Sequence, residues 1–525
     1  MRDENGRGMQ NMHTEEREMR AKPDVRRSRA VLLAVLTAIF AFAGLGAWAI
    51  ASPVGAAPDD DFHLASIWCS LGEREGLCAE TAADDERTIP ARLIESSRCF
   101  SFDQSASAQC PLNDEDRITT DRGNFAGNYP PVFYSVMGLF ASPDIAVSTV
   151  LMRLFNAALF VGAVSAVIAL LRPGQRGPIV WSSIATLVPL GVFLIPSVNP
   201  SSWAILAGLL VWVSLYGYFT AETLTRRISL GAIAAVLAVM GAGARGDSAV
   251  YVAFAAVVAT ALAFERRSRS WLKLALLPLA IVVVGACFFL VAGQTTGTVR
   301  AAEVQSSAGG GAGAEAATAA SSAIADLISN VIYLPWLWTG GTGTWALGWL
   351  DTPVPQTVWV VMIVVLGVVI LRGIGVMPWR KALVTVAALG ALTVIPLYVL
   401  YGAGVRVGEW VQPRYLLPLL AMFVGIAVFG FAKDHLGFTR LQAAVLFSGV
   451  AIANSLALHN NMRRYISGLG DRTGFNLNAS IEWWWNMPFS PMVVWFAGSA
   501  AFALMLAGLF LWLYPRGERP ALRAE

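Results

Sequence analysis

Long apolar stretches recur along almost the whole chain, and their length is what most restricts the fold. A run of about 17–25 apolar residues matches the hydrocarbon thickness of a bilayer. Such runs are read at 30–51, 144–171, 178–196, 201–221, 228–244, 248–264, 271–292, 356–372, 381–401, 413–431, 440–458 and 491–514. An all-α polytopic membrane protein with about twelve transmembrane helices is expected, spanning residues 30–514. Composition agrees, because only 14% of residues are charged, against about 25% in soluble domains. The runs at 228–244 and 248–264 are short enough to be tilted or partly re-entrant. Ala49-Ile50-Ala51 resembles a signal-peptidase site, but the first apolar run is long for a signal peptide and reads as an uncleaved span.

Charge sets the expected orientation. Residues 1–29 are polar and aperiodic and end in Arg26-Arg27-Ser28-Arg29, as in a disordered cytoplasmic tail. With that tail inside, every inner connection is basic: Arg172 and Arg176, Arg226-Arg227, then Arg266, Arg267, Arg269 and Lys273. Arg372, Arg380 and Lys381 follow, then Lys433 and Arg440, and Arg516, Arg519 and Arg523 in a second cytoplasmic tail at 515–525. This is the positive-inside pattern. The basic residues are topology signals in short clusters, and a nucleic-acid partner is not expected.

The outer side then holds three segments. The first, 52–143, is too long for a simple connector. Four of the five cysteines fall in it, which suggests disulfides in an oxidising compartment, with Cys69–Cys78 and Cys99–Cys110 the favoured pairs of three alternatives. Zinc is the rival reading, but the spacings are not finger-like. The second, 293–355, opens with low complexity from Ser306 to Ser322, expected to be mobile, and continues with aromatic residues from Tyr333 to Trp349. The third, 459–490, carries Trp483-Trp484-Trp485, read as an interfacial anchor.

Candidate chemistry gathers near this face. Pro58-Asp59-Asp60-Asp61-Phe62-His63 directly follows the first run. If a helix begins near Pro58, Asp59 and His63 share one face; an aspartate cap is the plainer reading, but it accounts for only one of three carboxylates. Tyr129-Pro130-Pro131-Val132-Phe133-Tyr134 precedes the second run in extended backbone. Arg153 lies two turns inside that run, Arg245 and Asp247 sit in a tight outer turn where they can pair, and Arg406, Glu409, Gln412, Arg414 and Tyr415 surround the start of the 413–431 run. Arginine matches phosphate oxygens bidentately. No Walker loop, dinucleotide fingerprint or serine elbow is present, so any donor would be carried by lipid.

Pro58-Asp59-Asp60-x-x-His63 resembles the P-D-E-x-x-H element of a large bacterial membrane-protein family, domain of unknown function twenty-one forty-two. Gln412-Pro413-Arg414-Tyr415-Leu416-Leu417-Pro418 resembles its Q-G-R-Y-x-x-P element, and Tyr129–Tyr134 its H-P-P-x-x-Y element. Asp60 stands for the usual glutamate, Pro413 for glycine, and Asn128 where related enzymes often have histidine. The family in turn is similar to GT-C glycosyltransferases, which use polyprenyl-phosphate sugars. That resemblance implies a multi-pass protein of the bacterial plasma membrane that transfers a sugar from such a donor to a cell-envelope glycan or lipid. Asp59 would be the base, with Asp60, Asp61, His63, Tyr129 and Tyr134 orienting it, binding acceptor or, for Asp60 and His63, ligating a divalent cation. Arg153, Arg245, Arg406, Gln412, Arg414 and Tyr415 would hold lipid phosphate. A flippase of lipid-linked precursors and a non-catalytic receptor or scaffold are the alternatives.

Overall fold

In a bilayer the backbone must satisfy its own hydrogen bonds, and helices do so segment by segment. The computed structural model describes residues 28–113, 115–264, 269–293, 314–470 and 474–515. Its helices begin with α1 (Ser28–Ile50), α2 (Asp60–Cys69), α3 (Arg92–Arg98), α4 (Val132–Met137), α5 (Ile145–Leu170), α6 (Gly177–Thr186), α7 (Leu190–Leu194) and α8 (Ser201–Thr220). They continue with α9 (Leu224–Ala242), α10 (Gly246–Ala263), α11 (Trp271–Val291), α12 (Ala314–Thr339), α13 (Gln356–Ile374), α14 (Trp379–Ala403), α15 (Pro413–Ala427), α16 (Arg440–Ser467) and α17 (Pro491–Leu513).

Ten helices among the described residues are long and apolar enough to cross a membrane: α1, α5, α8, α9, α10, α11, α13, α14, α16 and α17. The expected count of about twelve is corrected by two runs. The 178–196 run breaks into α6 and α7 at Pro189, and α7 stops before Pro196; proline offers no N–H and its ring obstructs the preceding turn. The 413–431 run yields only the 15-residue α15. Nearly every residue of α6, α7 and α15 is buried, so other helices surround them, as expected of helices apolar all round. α15 packs on α6, α8 and α14. Gly208 makes the α8–α15 contact close, since a Cβ there would lie 2.6 Å from the Pro418 carbonyl oxygen.

Two further expectations change. Residues 314–322, inside the segment expected to be mobile, belong to α12, while 306–313 lie outside the described residues. The same holds for residues 1–27, Arg266, Arg267 and the tail from Arg516. α12 runs beside α14, with the Trp338 indole donating to Leu392 O at 2.9 Å, and a 3-10 turn at Gly340–Thr342 then packs against the start of α15. α16 extends to Ser467, so the expected loop at 459–490 begins inside a helix.

The first loop has its own fold. Its departure from an all-α architecture is a small antiparallel sheet ordered β1-β2-β3, formed by Ala79–Glu80, Arg87–Pro90 and Arg117–Thr120. Ile89 pairs with Ile118 in it. The disulfides are the expected ones, Cys69–Cys78 and Cys99–Cys110. At the opposite end of the bundle, basic side chains close helix ends: Arg227 donates to Ala221 O, Arg372 to Leu436 O and Arg380 to Phe264 O. There the Asp434 carboxylate also accepts the N–H groups of Gly174, Arg176 and Gly177 at the start of α6, the favourable sign for a helix N-terminus.

Because Gly208 lies against backbone, Gly208→Val should overpack the α8–α15 contact by about 1–3 kcal/mol. Thermal unfolding in detergent should show a lower midpoint. Gly367→Val, which meets open space, should leave the midpoint nearly unchanged.

Candidate functional site

Between α1 and α2 the chain runs through 51–58 as an irregular strap, buried along nearly its whole length. Buried carbonyls need donors, and distant side chains supply them. Arg153 of α5 donates to Ala49 O at 3.0 Å, Ser52 O at 2.6 Å and Pro53 O at 2.6 Å. Trp485 donates to Ile50 O, Asn461 to Ala51 O, Trp349 to Gly55 O, Tyr465 to Ala56 O and Asn199 to Pro58 O. Gly55 has φ +83, and a Cβ there would meet Ser96 Oγ at 2.9 Å, so the strap also needs glycine at that point.

The strap delivers Asp59. Helix α2 starts one residue after it; Asp59 has φ 59, a left-handed conformation, and its side chain caps nothing. Aspartate tolerates this region better than most residues. The carboxylate instead reaches Arg414 at the start of α15, Nη2 to Oδ2 2.5 Å. Arg122 approaches Asp59 at 3.5 Å but makes its close bonds to Asp61, at 2.8 and 3.0 Å. Burial pushes the Asp59 pKa up, but Arg414, with Arg122 adding, outweighs it and holds the carboxyl below its usual range.

Arg414 is 4% exposed. Its Nη2 is used on Asp59 and on the Tyr415 hydroxyl at 2.9 Å, while its buried Nε and Nη1 have no partner among the described residues. Arg245 pairs bidentately with Asp247, both bonds 2.9 Å, as the outer-turn reading allowed. Its guanidinium also lies 4.6 Å from the Tyr415 ring centroid, with Arg414 4.9 Å from the same ring. Two cations thus lie on one aromatic ring, one of them with donors that could meet an anion.

Asp60 and His63 take different partners. Asp60 is fully buried, accepts from Ala57 N at 3.0 Å and sits 3.9 Å from Arg153. Burial raises its pKa to about 7 despite Arg153. His63 Nδ1 is 2.9 Å from the Tyr134 hydroxyl, and its ring stands edge-on to Tyr129 and Phe62. Burial lowers its pKa to about 3, so the imidazole is neutral, as are Tyr129 and Tyr134, whose pKa values burial raises. Among the described residues, no three His, Cys, Asp or Glu side chains converge as metal ligands. Asp60 and His63 are turned to different partners, so they do not assemble a donor set for a divalent cation.

The sequence candidates therefore divide. Asp59, Asp61, Arg245, Arg414 and Tyr415 share one cluster, joined by Arg122, which sequence reading missed, and His63, Tyr129 and Tyr134 form its aromatic wall. Arg153 lies behind them, engaged with the strap. Arg406 bonds Asp326 at 2.7 Å and stays apart, while Gln412 occupies the N-cap position of α15. Sequence reading missed Arg464 and Asp351, paired at 3.0 Å with side chains 0% and 1% exposed. Arg464 also donates to Phe100 O and Ala106 O inside the Cys99–Cys110 loop. Their neighbours Trp349 and Tyr465 hold Gly55 and Ala56. The available signal was only two adjacent arginines, Arg463-Arg464, among several others assigned to the same side.

Fold and site together define a polytopic helical membrane protein whose first loop and a late helix meet through one ion pair. The chain belongs to the family described as Predicted membrane protein (DUF2142), whose model matches residues 42–423 and so includes both Asp59 and Arg414. No curated protein matches the chain.

Removing one partner of a buried pair strands the other charge, so Arg464→Ala or Asp351→Ala should each cost about 3–5 kcal/mol, read by thermal unfolding in detergent. Asp60 gives a pH signature. Its folded pKa lies above the unfolded value, so between about pH 4 and 7 the native state binds more protons than the unfolded state, and Asp60's contribution to stability falls as pH rises. Asp60→Asn should flatten the decline of the unfolding midpoint across that window; an unaltered slope refutes the assignment.

Proposed function

We propose that this protein is a membrane glycosyltransferase. It moves a sugar from a polyprenyl-phosphate donor to a cell-envelope glycan or lipid acceptor, at the extracytoplasmic face of a bacterial plasma membrane. The observation that carries the reading is Arg414: one nitrogen neutralises Asp59 while two buried nitrogens remain unpartnered. A phosphate oxygen matches those donors. The N-terminus-inside orientation puts the disulfide loop on the oxidising side and the basic helix ends in the cytoplasm.

The chemistry follows from the pair. The acceptor oxygen attacks the anomeric carbon as Asp59 takes its proton. The bond from that carbon to the phosphate oxygen breaks, and its electron pair leaves on the phosphate. Arg414 and Arg245 stabilise the charge that accumulates there. In the ion pair Asp59 is a weak base. A phosphate drawing Arg414 toward itself loosens that hold, so the carboxylate becomes more basic when donor is bound. Transporters keep their decisive polar groups near the midplane in broken helices, whereas this cluster gathers at the starts of α2, α10 and α15, which favours transfer over flipping.

In proteoliposomes supplied with labelled polyprenyl-phosphate sugars, Asp59→Asn should lower product formation by about 100-fold or more while the protein still inserts. Asp59→Glu should retain part of it, and Arg414→Lys should weaken donor use through lost bidentate contact. Wild-type turnover by Asp59→Asn would sink the proposal.

A further inference from the structure

Behind the aromatic wall lies a groove of about 710 Å³ between the first loop and α11. Val284, Cys287, Phe288 and Val291 form one side, spaced as a single helical stripe. Phe125, Tyr129, Pro130 and Pro131 form the other. The volume is that of a small-molecule site, but its walls are mainly hydrocarbon and aromatic. Its polar groups are committed within the protein: Ser66 donates to Phe62 O, Ser70 to Ile67 O and Tyr134 O, Ser135 to Pro131 O, Arg87 to Asp84 O and Glu86 O, and Asn124 to Tyr129 O, while the Tyr134 hydroxyl meets His63 Nδ1. Such a lining suits an aliphatic chain and offers little to a sugar.

Two features say which chain. Leu290 and Val291 of α11 are each 79% exposed, so the groove borders the lipid side and can be entered from within the bilayer. At its inner edge stands Tyr129, whose ring lines the groove and also lies 6.0 Å from the Arg245 guanidinium. Beyond that ring are Tyr415 and the unused donors of Arg414. The Tyr129 ring thus stands between the apolar groove, which neither arginine lines, and the Arg245 guanidinium.

We infer that this groove seats the hydrocarbon chain of a phosphate-headed, single-chain lipid, whose phosphate is held by Arg245 and Arg414. The assignment rests on the transfer reading only in making that lipid the sugar donor. Tyr129 is then the pivot between chain and headgroup. The tail selects a long, flexible chain, and the arginines select the charge.

Cys287 allows a test without chemistry. It is the one cysteine outside the disulfides, so a membrane-permeant maleimide reports on the groove wall of the wild-type protein. In proteoliposomes, a long-chain polyprenyl phosphate at saturation should slow Cys287 alkylation roughly fivefold or more, as when about four fifths of sites are filled. Inorganic phosphate should not slow it, and added phosphatidylglycerol should not either. Val284→Trp, which fills the groove, should slow alkylation by itself and abolish further protection. An unchanged rate with polyprenyl phosphate overturns the assignment. Equal protection by phosphatidylglycerol also overturns it, since the groove would then hold bulk lipid. Protection without any sugar transfer would refute the transferase reading and leave the groove standing; transfer without protection would do the reverse.

Discussion

A buried stretch of irregular backbone must find hydrogen-bond donors or stay in water, and the strap at 51–58 has found them one by one. Arg153, Asn199, Trp349, Asn461, Tyr465 and Trp485 each satisfy a carbonyl in or beside it. These donors come from α5, the approach to α8, the loop before α13, α16 and the loop before α17. An unsatisfied buried carbonyl costs about 1–3 kcal/mol, so the strap has few other conformations available. That is why a non-glycine residue can be held at a left-handed φ just beyond it: the surroundings over-determine the backbone.

What the strap presents is an imbalance of charge. Asp59 is offset by Arg414, Asp61 by Arg122 and Asp247 by Arg245, yet Arg414 keeps two buried donors without a partner among the described residues. In a low-dielectric setting an unmet guanidinium donor is costly, and an anion bound at Arg414 would relieve that cost. His63 and the two tyrosines add no charge to this balance. They shape the wall and keep solvent out, which strengthens every interaction inside it.

Much of this was legible in the chain. The apolar runs, the basic clusters and the paired cysteines all answer to the bilayer and its two compartments, and those constraints act on local sequence. The failures come from contacts between distant segments. Hydropathy alone gave 178–196 as one span; Pro189 and Pro196 were the contrary signal. Asp59 and His63 do stand one helical turn apart, with Asp59 at the N-cap of α2 and its carbonyl accepting from His63 N, but the carboxylate's partner lies 355 residues away. Arg153 was legible as an unusual intramembrane charge, but not as a ligand of backbone carbonyls. Arg464 and Asp351 left almost no trace, because a buried pair is defined by what surrounds it.

The donors of the strap have a temporal side. A ribosome feeds this chain into the membrane from its N-terminus, so Asp59 emerges long before Arg414, Asn461, Tyr465 or Trp485 exist. Arg153, Asn199 and Trp349 are made earlier, but the carbonyls of Ile50, Ala51 and Ala56 must wait for Asn461, Tyr465 and Trp485. The strap around the acidic motif therefore gains its last carbonyl donor only with Trp485, and a chain truncated before that residue would carry the motif without the full set.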